Sequence, residues 1–355
     1  MTAQLQLRRL DRPYYGLQYL RALAALMVLL VHALRPDDFP LKLLGSGVDL
    51  FFVLSGFLMV AITDETTRPF PFAIARLRRI VPLYWILTTG VVILLWGGMS
   101  WRSPIPFLYL ANADHGVPLD LIAASYAFVP WYNPATQTIQ PVIPAGWTLN
   151  LEMLFYAIVA VSLWLPRRWQ LPMASLGILS LALAGVLHDF DQPQLEAWTS
   201  SITIEFLFGA WIGHAWQHRT NLWHRYLWLS LLTCGLLAVF YWLDPQETER
   251  MNFAAAIAFG ALLIAVLQAE DRQSGISRYA IPLWLGDASY AIYLMQFAFI
   301  VIMQKNGIDH PAAYASILVL GTMTLAPLVH RFVDRYSRRT TTSYQSTACK
   351  RANSG

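Results

Sequence analysis

The strongest constraint on the fold is a series of ten apolar runs, each about as long as a membrane-spanning helix. A transmembrane α-helix needs about 20 apolar residues, within a range of roughly 17–25. The runs cover residues 15–34, 45–62, 80–98, 147–165, 171–188, 199–216, 223–243, 253–269, 283–303 and 311–332. The chain is only 13% charged, whereas a soluble domain carries about 25% charged residues. The sequence therefore predicts an all-α, polytopic membrane helix bundle of about ten transmembrane helices.

The distribution of arginine and lysine predicts the orientation of this bundle. With a cytoplasmic N-terminus, 19 of the 25 Lys and Arg residues fall in the inner segments and 5 in the outer ones. Cytoplasmic segments of membrane proteins carry such an excess of positive charge, so both termini are predicted to be cytoplasmic. We expect residues 1–14 to form a cytoplasmic N-terminal segment, residues 15–338 the transmembrane domain, and residues 339–355 a polar, disordered cytoplasmic tail.

Two segments need separate interpretation. The first run has an alternative as a signal peptide over residues 8–34, because arginines precede it. Its length and its two ionisable residues favour a retained helix. The longest connection, residues 99–146, is rich in Pro, Asn and aromatic residues, and connections this long are often functional. Within it, residues 119–129 are predicted to form a short helix that does not span the membrane.

Several classes of function find no support in the sequence. The two cysteines, Cys234 and Cys349, give neither a disulfide framework nor the spacing of a metal site. Motifs that bind nucleotides or metals are absent. The basic residues are scattered among loops, unlike the basic stripe of a nucleic-acid-binding protein. We therefore expect no metal, no permanently bound cofactor and no nucleic-acid partner.

The first apolar run carries two ionisable residues on one face. Arg21 and His32 are eleven positions apart, which is three helical turns and about 16 Å along the axis. In the predicted orientation Arg21 lies near the cytoplasmic side and His32 near the outer side. Charges inside a bilayer are costly and mark function by default.

Acidic residues of other spans are expected to join His32 in an outer layer. Asp49 and Glu152 each lie near the outer start of a span, and Glu205 lies at a similar depth. Tyr156 follows Glu152 by four residues and shares its face. A histidine beside carboxylates is typical of general-base catalysis. His32, Glu152 and Asp49 are therefore the predicted catalytic residues, with Glu205 and Tyr156 as accessory ones.

An inner layer of cations is predicted on the cytoplasmic side. Arg21 and Asp287 lie there, together with Arg76, Arg78 and Arg79 of the "RLRRIVPLYW" stretch. Guanidinium groups bind phosphate through paired hydrogen bonds and permanent charge. The predicted donor substrate is therefore phosphate-bearing.

Each of these residues also has a structural interpretation. An intramembrane histidine such as His32 often serves only as a hydrogen bond between helices. Asp49 and Glu152 can be partners in structural ion pairs. The arginine cluster can serve only as a topology signal. The sequence leaves these alternatives open.

Five stretches, in order, carry a resemblance to a known family. They are "YLRALAALMVLLVHA", "GVDLFFVLSGFLM", "RLRRIVPLYW", "GWTLNLEMLFYA" and "LGDASYAIYLMQF". Over about residues 15–335 the chain resembles the acyltransferase 3 family of membrane O-acyltransferases. The stretches "RIVPLYW", "GWTLNLEMLFY" and "FVPWYN…PVIPAGWTL" look most like the branch that O-acetylates bacterial exopolysaccharides.

The resemblance implies a substrate pair and a location. The expected donor is cytoplasmic acetyl-CoA, and the expected acceptor is a sugar hydroxyl of a lipid-linked or exported polysaccharide at the outer face of the bacterial inner membrane, among membrane lipids. By the same resemblance, His32, Glu152 and Asp49 are catalytic. The acyl-donor-binding residues implied are Arg21, Arg78, Arg79, Ser55, Gly56 and Phe57, and Asp287 is an accessory residue of the inner layer.

Two departures from the family pattern stand out. Many relatives have a histidine after the "YL" of the ninth span, where this chain has Gln296 in "YLMQF". Relatives often end in a Glu-Pro motif, where "HRFVDRYSRR" offers Asp334 and no proline. The alternative function is a proton-coupled transporter or flippase of a glycan precursor, in which His32 and the carboxylates relay protons. Such transporters commonly show inverted repeats, and none is evident in this sequence.

Overall fold

Within its described residues, the structure is a bundle of helices with one very short β-hairpin. The computed structural model describes residues 14–35, 41–96, 117–134, 136–218, 247–271, 279–308 and 310–352. The helices are α1 (Tyr15–Leu34), α2 (Gly47–Ile62), α3 (Pro69–Trp96), α4 (Leu119–Ala127), α5 (Gly146–Ser162), α6 (Arg167–Leu187), α7 (Pro193–Trp198), α8 (Ile204–Gln217), α9 (Glu247–Asp271), α10 (Ala280–Lys305) and α11 (Pro311–Ala352), with 3₁₀ turns at Leu41–Ser46 and Ser201–Thr203. Strands β1 (Tyr132–Asn133) and β2 (Thr138–Ile139) pair antiparallel.

Hydrogen bonds between helix ends define the two ends of the bundle. Arg167 at the start of α6 donates to Thr63 Oγ1 after α2 at 3.1 Å, and to Gln217 Oε1 at the end of α8 at 3.0 Å. We call this the arginine-rich end, because Arg68 and Arg168 also lie on it. The other end carries α4, the hairpin and α7, and is called the opposite end.

Six helices of the described residues are long and apolar enough to cross a membrane. They are Tyr15–Leu34, Leu43–Ile62, Pro69–Leu94, Arg167–Leu187, Ala280–Met303 and Pro311–Arg331. Two shorter apolar helices, Gly146–Ser162 and Ala254–Glu270, lie among them. The all-α membrane class is thus confirmed. The predicted seventh run, residues 223–243, lies outside the described residues, and the count of ten spans and the orientation stay predictions.

Two segments differ in detail from the sequence prediction, and a third agrees with it. Helix α3 begins at Pro69 rather than near residue 80, so Arg76, Arg78 and Arg79 lie inside a helix. Helix α11 continues to Ala352, whereas its last turns were expected to be a disordered tail. Backbone hydrogen bonds alone can extend a helix. The Ser- and Thr-rich composition of these turns therefore did not indicate that the helix continues. The short helix predicted near residues 119–129 is present as α4.

Glycines allow α2 and α8 to approach each other closely. A Cβ at Gly56 would overlap the Phe206 carbonyl of α8, and a Cβ at Gly209 would overlap the Val53 carbonyl of α2. Small residues at helix crossings permit such backbone contact in membrane proteins. The contact fixes the rotation of α2, and therefore which of its side chains face the rest of the bundle.

This close approach predicts a glycine-specific effect on stability. The Phe206 backbone cannot move aside as a flexible side chain can, so we expect Gly56→Ala to cost about 2 kcal/mol of folding free energy. The measurement is the thermal unfolding midpoint of the purified protein in detergent. Gly90→Ala on α3 is the matched control, because nothing lies within 4 Å of a Cβ there. Equal midpoints for the two variants would contradict the close α2–α8 contact.

Candidate active site

A narrow cavity of about 80 Å³ lies between α1, α2, α3, α5 and α10. We call it the central cavity. Val48 and Met59 of α2 both line it, so it extends about 16 Å along the helix axis. Its polar lining residues are Arg21, Ser55, Arg79, Thr148, Glu152, Tyr156, Ser289, Tyr290 and Tyr293. Pockets for drug-sized ligands measure about 300–1,000 Å³, so this cavity has room only for a small group.

Glu152 connects α5 to α2 within the central cavity. Its Oε1 accepts a hydrogen bond from Ser55 Oγ at 3.2 Å and a second, short one from the Tyr156 hydroxyl. Glu152 and Tyr156 are one helical turn apart, so the expectation that they share a face of the helix is confirmed. The two hydroxyl donors hold the carboxylate in one position on the cavity wall.

Three arginines surround this carboxylate. Arg21 is 7% exposed, its Nη1 donates to Gln18 Oε1 at 3.3 Å, and it lies within electrostatic range of Arg79 and Glu152. Arg79 comes from α3 and lines the same cavity. The predicted grouping of Arg21 and Arg79 is therefore present.

Arg76 adds a third guanidinium group beside the cavity. It lies within electrostatic range of Arg79 and Glu152. Its Nε and Nη1 are buried and have no hydrogen-bond partner within the described part of the chain, while the guanidinium group lies within hydrogen-bonding reach of the Tyr156 hydroxyl. Asp287 of α10 also acts on Arg21. Buried donors without acceptors are costly, so the arginine side of the cavity favours an anionic ligand.

Helix α10 closes the cavity with hydroxyl groups. The Tyr290 hydroxyl donates to the Ile80 carbonyl of α3 at 2.8 Å, and the Tyr293 hydroxyl lies 2.9 Å from Thr148 Oγ1 of α5. Ser289 Oγ is buried and has no partner among the described residues. Ser289, Tyr290 and Tyr293 were not among the site residues predicted from the sequence. Their spacing in "ASYAIYL" (Ser289, then Tyr290, then Tyr293) places them near one face of a helix, which was the available signal.

The structure separates His32 from the acids expected around it. Its Nδ1–H donates to the Val28 carbonyl oxygen at 2.8 Å, and its ring packs edge-on against Phe297 of α10, with centroids 5.0 Å apart. Gln296 is its neighbouring side chain, and no carboxylate is among its contacts within the described residues. The expected cluster of His32 with Asp49, Glu152 and Glu205 is therefore wrong.

The reason for this separation is the identity of the neighbouring helix. Helix α10, rather than α2 or α5, covers the last turns of α1 at His32. Gln296 follows the cavity-lining Tyr293 by three residues, or about 4.5 Å along α10. His32 thus lies about one helical turn beyond the central cavity, toward the opposite end. Its bond to Val28 leaves Nε2 as the nitrogen with a lone pair.

Asp49 and Glu205 form a separate pair between α2 and α8. They are 2% and 4% exposed, and their carboxyl groups lie within hydrogen-bonding reach of each other. Asp49 Oδ1 and Glu205 Oε2 have no partner among the described residues. A hydrogen bond between two carboxyl groups requires a proton on one of them. This pair holds two helices together and lines neither the central cavity nor the His32 site.

The remaining predicted site residues are distributed over three places. Ser55 lines the central cavity, whereas Gly56 packs on α8 and Phe57 is fully buried with its ring 5.7 Å from that of Trp216. Arg78 is exposed and does not line the cavity. Gln296 is buried, and its Oε1 has no hydrogen-bond partner among the described residues.

Comparison with known proteins identifies relatives along most of the chain. The family model described as "Acyltransferase domain" matches residues 14–331. "Exopolysaccharide production protein ExoZ" of Rhizobium meliloti is 35% identical over 302 residues, covering 83% of this chain and 90% of that protein. "Nodulation protein 10" of Rhizobium leguminosarum is 24% identical over 297 residues, covering 78% of this chain and 80% of that protein.

A more distant relative is longer than this chain. "Peptidoglycan O-acetyltransferase OatA" of Listeria monocytogenes is 23% identical over 368 residues, which are 93% of this chain and 57% of that protein. The similarity therefore involves little more than half of the longer protein. No solved structure matches the chain.

The carboxyl pair predicts a contrast between two substitutions of Asp49. An amide at this position can donate to Glu205 as a protonated carboxyl does, so Asp49→Asn should keep the thermal midpoint of the wild type. Asp49→Leu leaves the buried Glu205 without a donor and should cost about 2–3 kcal/mol. The check is thermal unfolding of the purified variants in detergent. If Asp49→Asn unfolds as early as Asp49→Leu, the two carboxyl groups are not hydrogen-bonded.

Proposed function

The chain belongs to the acyltransferase 3 family of membrane O-acyltransferases, and from that premise we propose that it transfers acetyl from cytoplasmic acetyl-CoA to a sugar hydroxyl of a cell-surface polysaccharide. Relatives named for exopolysaccharide production and for O-acetyl transfer support this choice of acyl group and acceptor. The proposed location is the bacterial inner membrane, with the arginine-rich end in the cytoplasm, as the excess of positive charge there indicates.

The observation that carries the proposal is the group of arginines at the central cavity. Arg21 and Arg79 line it, and Arg76 has buried donors that lack acceptors among the described residues. Phosphate groups of a coenzyme A donor supply such acceptors and the opposite charge. A site that binds the phosphate groups of a donor needs fixed cations, and α1 and α3 provide them.

The size of the cavity suggests how the donor is divided along the bundle. A volume of about 80 Å³ accommodates an acetyl group but not a whole coenzyme, for which the helices must separate. We propose that the phosphates stay toward the arginine-rich end and that the acetyl thioester extends past Ser55 and Glu152 toward Thr148 and Tyr293. Thr148 and Tyr293 lie at the cavity's far end, closer to His32.

We propose His32 as the general base for the acceptor. Its Nδ1–H is bound to Val28, so Nε2 has the lone pair that proton abstraction requires. The acceptor oxygen attacks the thioester carbonyl carbon, the hydroxyl proton passes to Nε2, and the carbon–sulfur bond breaks to release the coenzyme as a thiolate. For this step the carbonyl carbon of the acetyl thioester must lie within about one helical turn of Tyr293, just beyond the end of the central cavity.

The direct test is acetyl transfer in membrane vesicles. Vesicles that contain the protein should move radiolabelled acetyl from acetyl-CoA to polysaccharide, and vesicles without it should not. Transport of an intact glycan precursor with no acetylation would favour the alternative function, a proton-coupled transporter or flippase. Membership of the acyltransferase 3 family is evidence against that alternative.

The donor site predicts different effects for two neighbouring arginines. Arg79→Gln removes a guanidinium group from the cavity and should raise the KM for acetyl-CoA at least tenfold, since a charge-assisted hydrogen bond contributes about 1.5–3 kcal/mol. Arg78→Gln is the matched comparison on the same helix, because Arg78 is exposed and outside the cavity. Its KM should change less than twofold. Equal changes in the two variants would argue against a cavity-bound donor.

The proposed base predicts a selective loss of catalysis. His32→Ala should lower kcat at least 100-fold, as general-base catalysis contributes about 10²–10⁴-fold, while the amount of protein in the membrane stays normal. His310→Ala is the control, because His310 is an exposed histidine before α11. The readout is the acetyl content of the glycan by mass spectrometry. Full acetylation by His32→Ala would remove this histidine from the mechanism.

A further inference from the structure

A second and larger cavity, of about 810 Å³, opens at the opposite end of the bundle. We call it the α6 cavity. It lies between the first turns of α5, the last turns of α6, the segment around α7 and the turn that precedes α8. Its volume falls in the range of about 300–1,000 Å³ that is usual for small-molecule sites. None of its lining residues takes part in the proposed reaction.

Helix α5 separates this cavity from the central one. Trp147 and Asn150 line the α6 cavity, whereas Thr148 and Glu152 line the central cavity. Asn150 and Glu152 differ by about 200° around the helix, so they face opposite sides. The two cavities are therefore back to back, separated by one helix about 10 Å in diameter.

Asn150 is the polar group that points to a ligand in the α6 cavity. It is 3% exposed, it lines the cavity, and its Oδ1 has no hydrogen-bond partner among the residues the structure describes. A buried amide oxygen without a donor is costly. A ligand hydroxyl in the cavity would supply that donor.

The other lining residues match two features of a sugar, its hydroxyl groups and the apolar face of its ring. Asp189 and Glu196 offer carboxylates that accept hydrogen bonds from hydroxyl groups, and Ser200 offers a further hydroxyl. Trp147 and Phe190 offer aromatic surface for the apolar face of a ring. The carboxylates disfavour an anionic ligand, which favours a neutral sugar.

The wall of the cavity is held in place by backbone contacts. A Cβ at Gly185 of α6 would overlap the Thr199 carbonyl, so the end of α6 and the segment after α7 touch directly. Gln194 Nε2 donates to the Pro130 carbonyl at 3.0 Å, which ties α7 to the segment before the hairpin. The elements that surround the cavity therefore contact one another directly and fix its shape.

We propose that the α6 cavity binds a neutral sugar residue of the acceptor glycan. The ring stacks on Trp147, and its hydroxyl groups donate to Asn150 Oδ1 and to the carboxylates of Asp189 and Glu196. This assignment rests on the proposed function, in that the glycan is the acetyl acceptor. The site holds this one sugar residue on the far side of α5 from the donor, and the hydroxyl that is acetylated belongs to a neighbouring part of the glycan that reaches His32.

The first experiment measures occupancy without relying on catalysis. Ser200→Cys is made in a Cys234→Ser/Cys349→Ser background, and the full-length protein is placed in lipid nanodiscs. The probe is oligosaccharide released from the exopolysaccharide of the producing bacterium and de-O-acetylated with mild alkali. The oligosaccharide should slow maleimide labelling of Ser200→Cys at least fivefold. Ala312→Cys, at an exposed position of α11 outside the cavity, should label at the same rate with and without it.

The second experiment separates acceptor binding from donor binding. Asn150→Leu should raise the KM for the oligosaccharide about tenfold, the effect of one lost hydrogen bond, and leave the KM for acetyl-CoA unchanged. Asn306→Leu is the control, since Asn306 is exposed after α10. A raised KM for acetyl-CoA with an unchanged acceptor KM would overturn the assignment.

The two experiments distinguish failure of the site from failure of the proposed function. If the wild-type protein transfers no acetyl to the oligosaccharide, the proposed function fails, while protection of Ser200→Cys would still support a sugar site. If the wild-type protein acetylates the oligosaccharide but Ser200→Cys labels at an unchanged rate, the α6 cavity is not the acceptor site.

Discussion

The central constraint on this bundle is the burial of cations where lipid would otherwise lie. An arginine inside a membrane helix is costly, by up to roughly 2.5–3.5 kcal/mol at the helix centre on insertion scales, and Arg21 is almost fully buried. Asp287 and Glu152 offset part of this cost through space, while the nearby Arg79 adds to it. Because these acids come from α5 and α10, the charge on α1 requires both helices to pack around it. The cavity that results is polar on the inside of an apolar bundle.

One short motif shows how packing and polar contacts are divided along a helix. In "SGF", Ser55 faces the central cavity and donates to Glu152, whereas Gly56 and Phe57 face α8. Successive residues of a helix differ by about 100°, so adjacent positions serve different neighbours. The contact of Gly56 with the α8 backbone fixes the rotation that directs Ser55 toward the carboxylate. A motif read as one binding element thus contains one cavity residue and two packing residues.

Helical periodicity and depth explain both what the sequence could predict and what it could not. The apolar runs predicted α1 and its neighbours, and the four-residue spacing of Glu152 and Tyr156 predicted their contact. The predicted depth of each residue in the membrane placed His32, Asp49 and Glu152 in one outer layer. It could not show that α10 covers His32 or that α8 covers Asp49. Which helices are neighbours depends on contacts far apart in sequence, such as that of Gly56 with Phe206.

The position of α5 brings the two cavities close together. The central cavity and the α6 cavity share the first turns of this helix. Phe52 lines the first and Trp147 the second, and their rings meet edge-on with centroids 6.3 Å apart. This aromatic contact closes the space between the cavities beside Thr148. In the proposed reaction, a rearrangement of this aromatic pair would connect the central cavity with the α6 cavity.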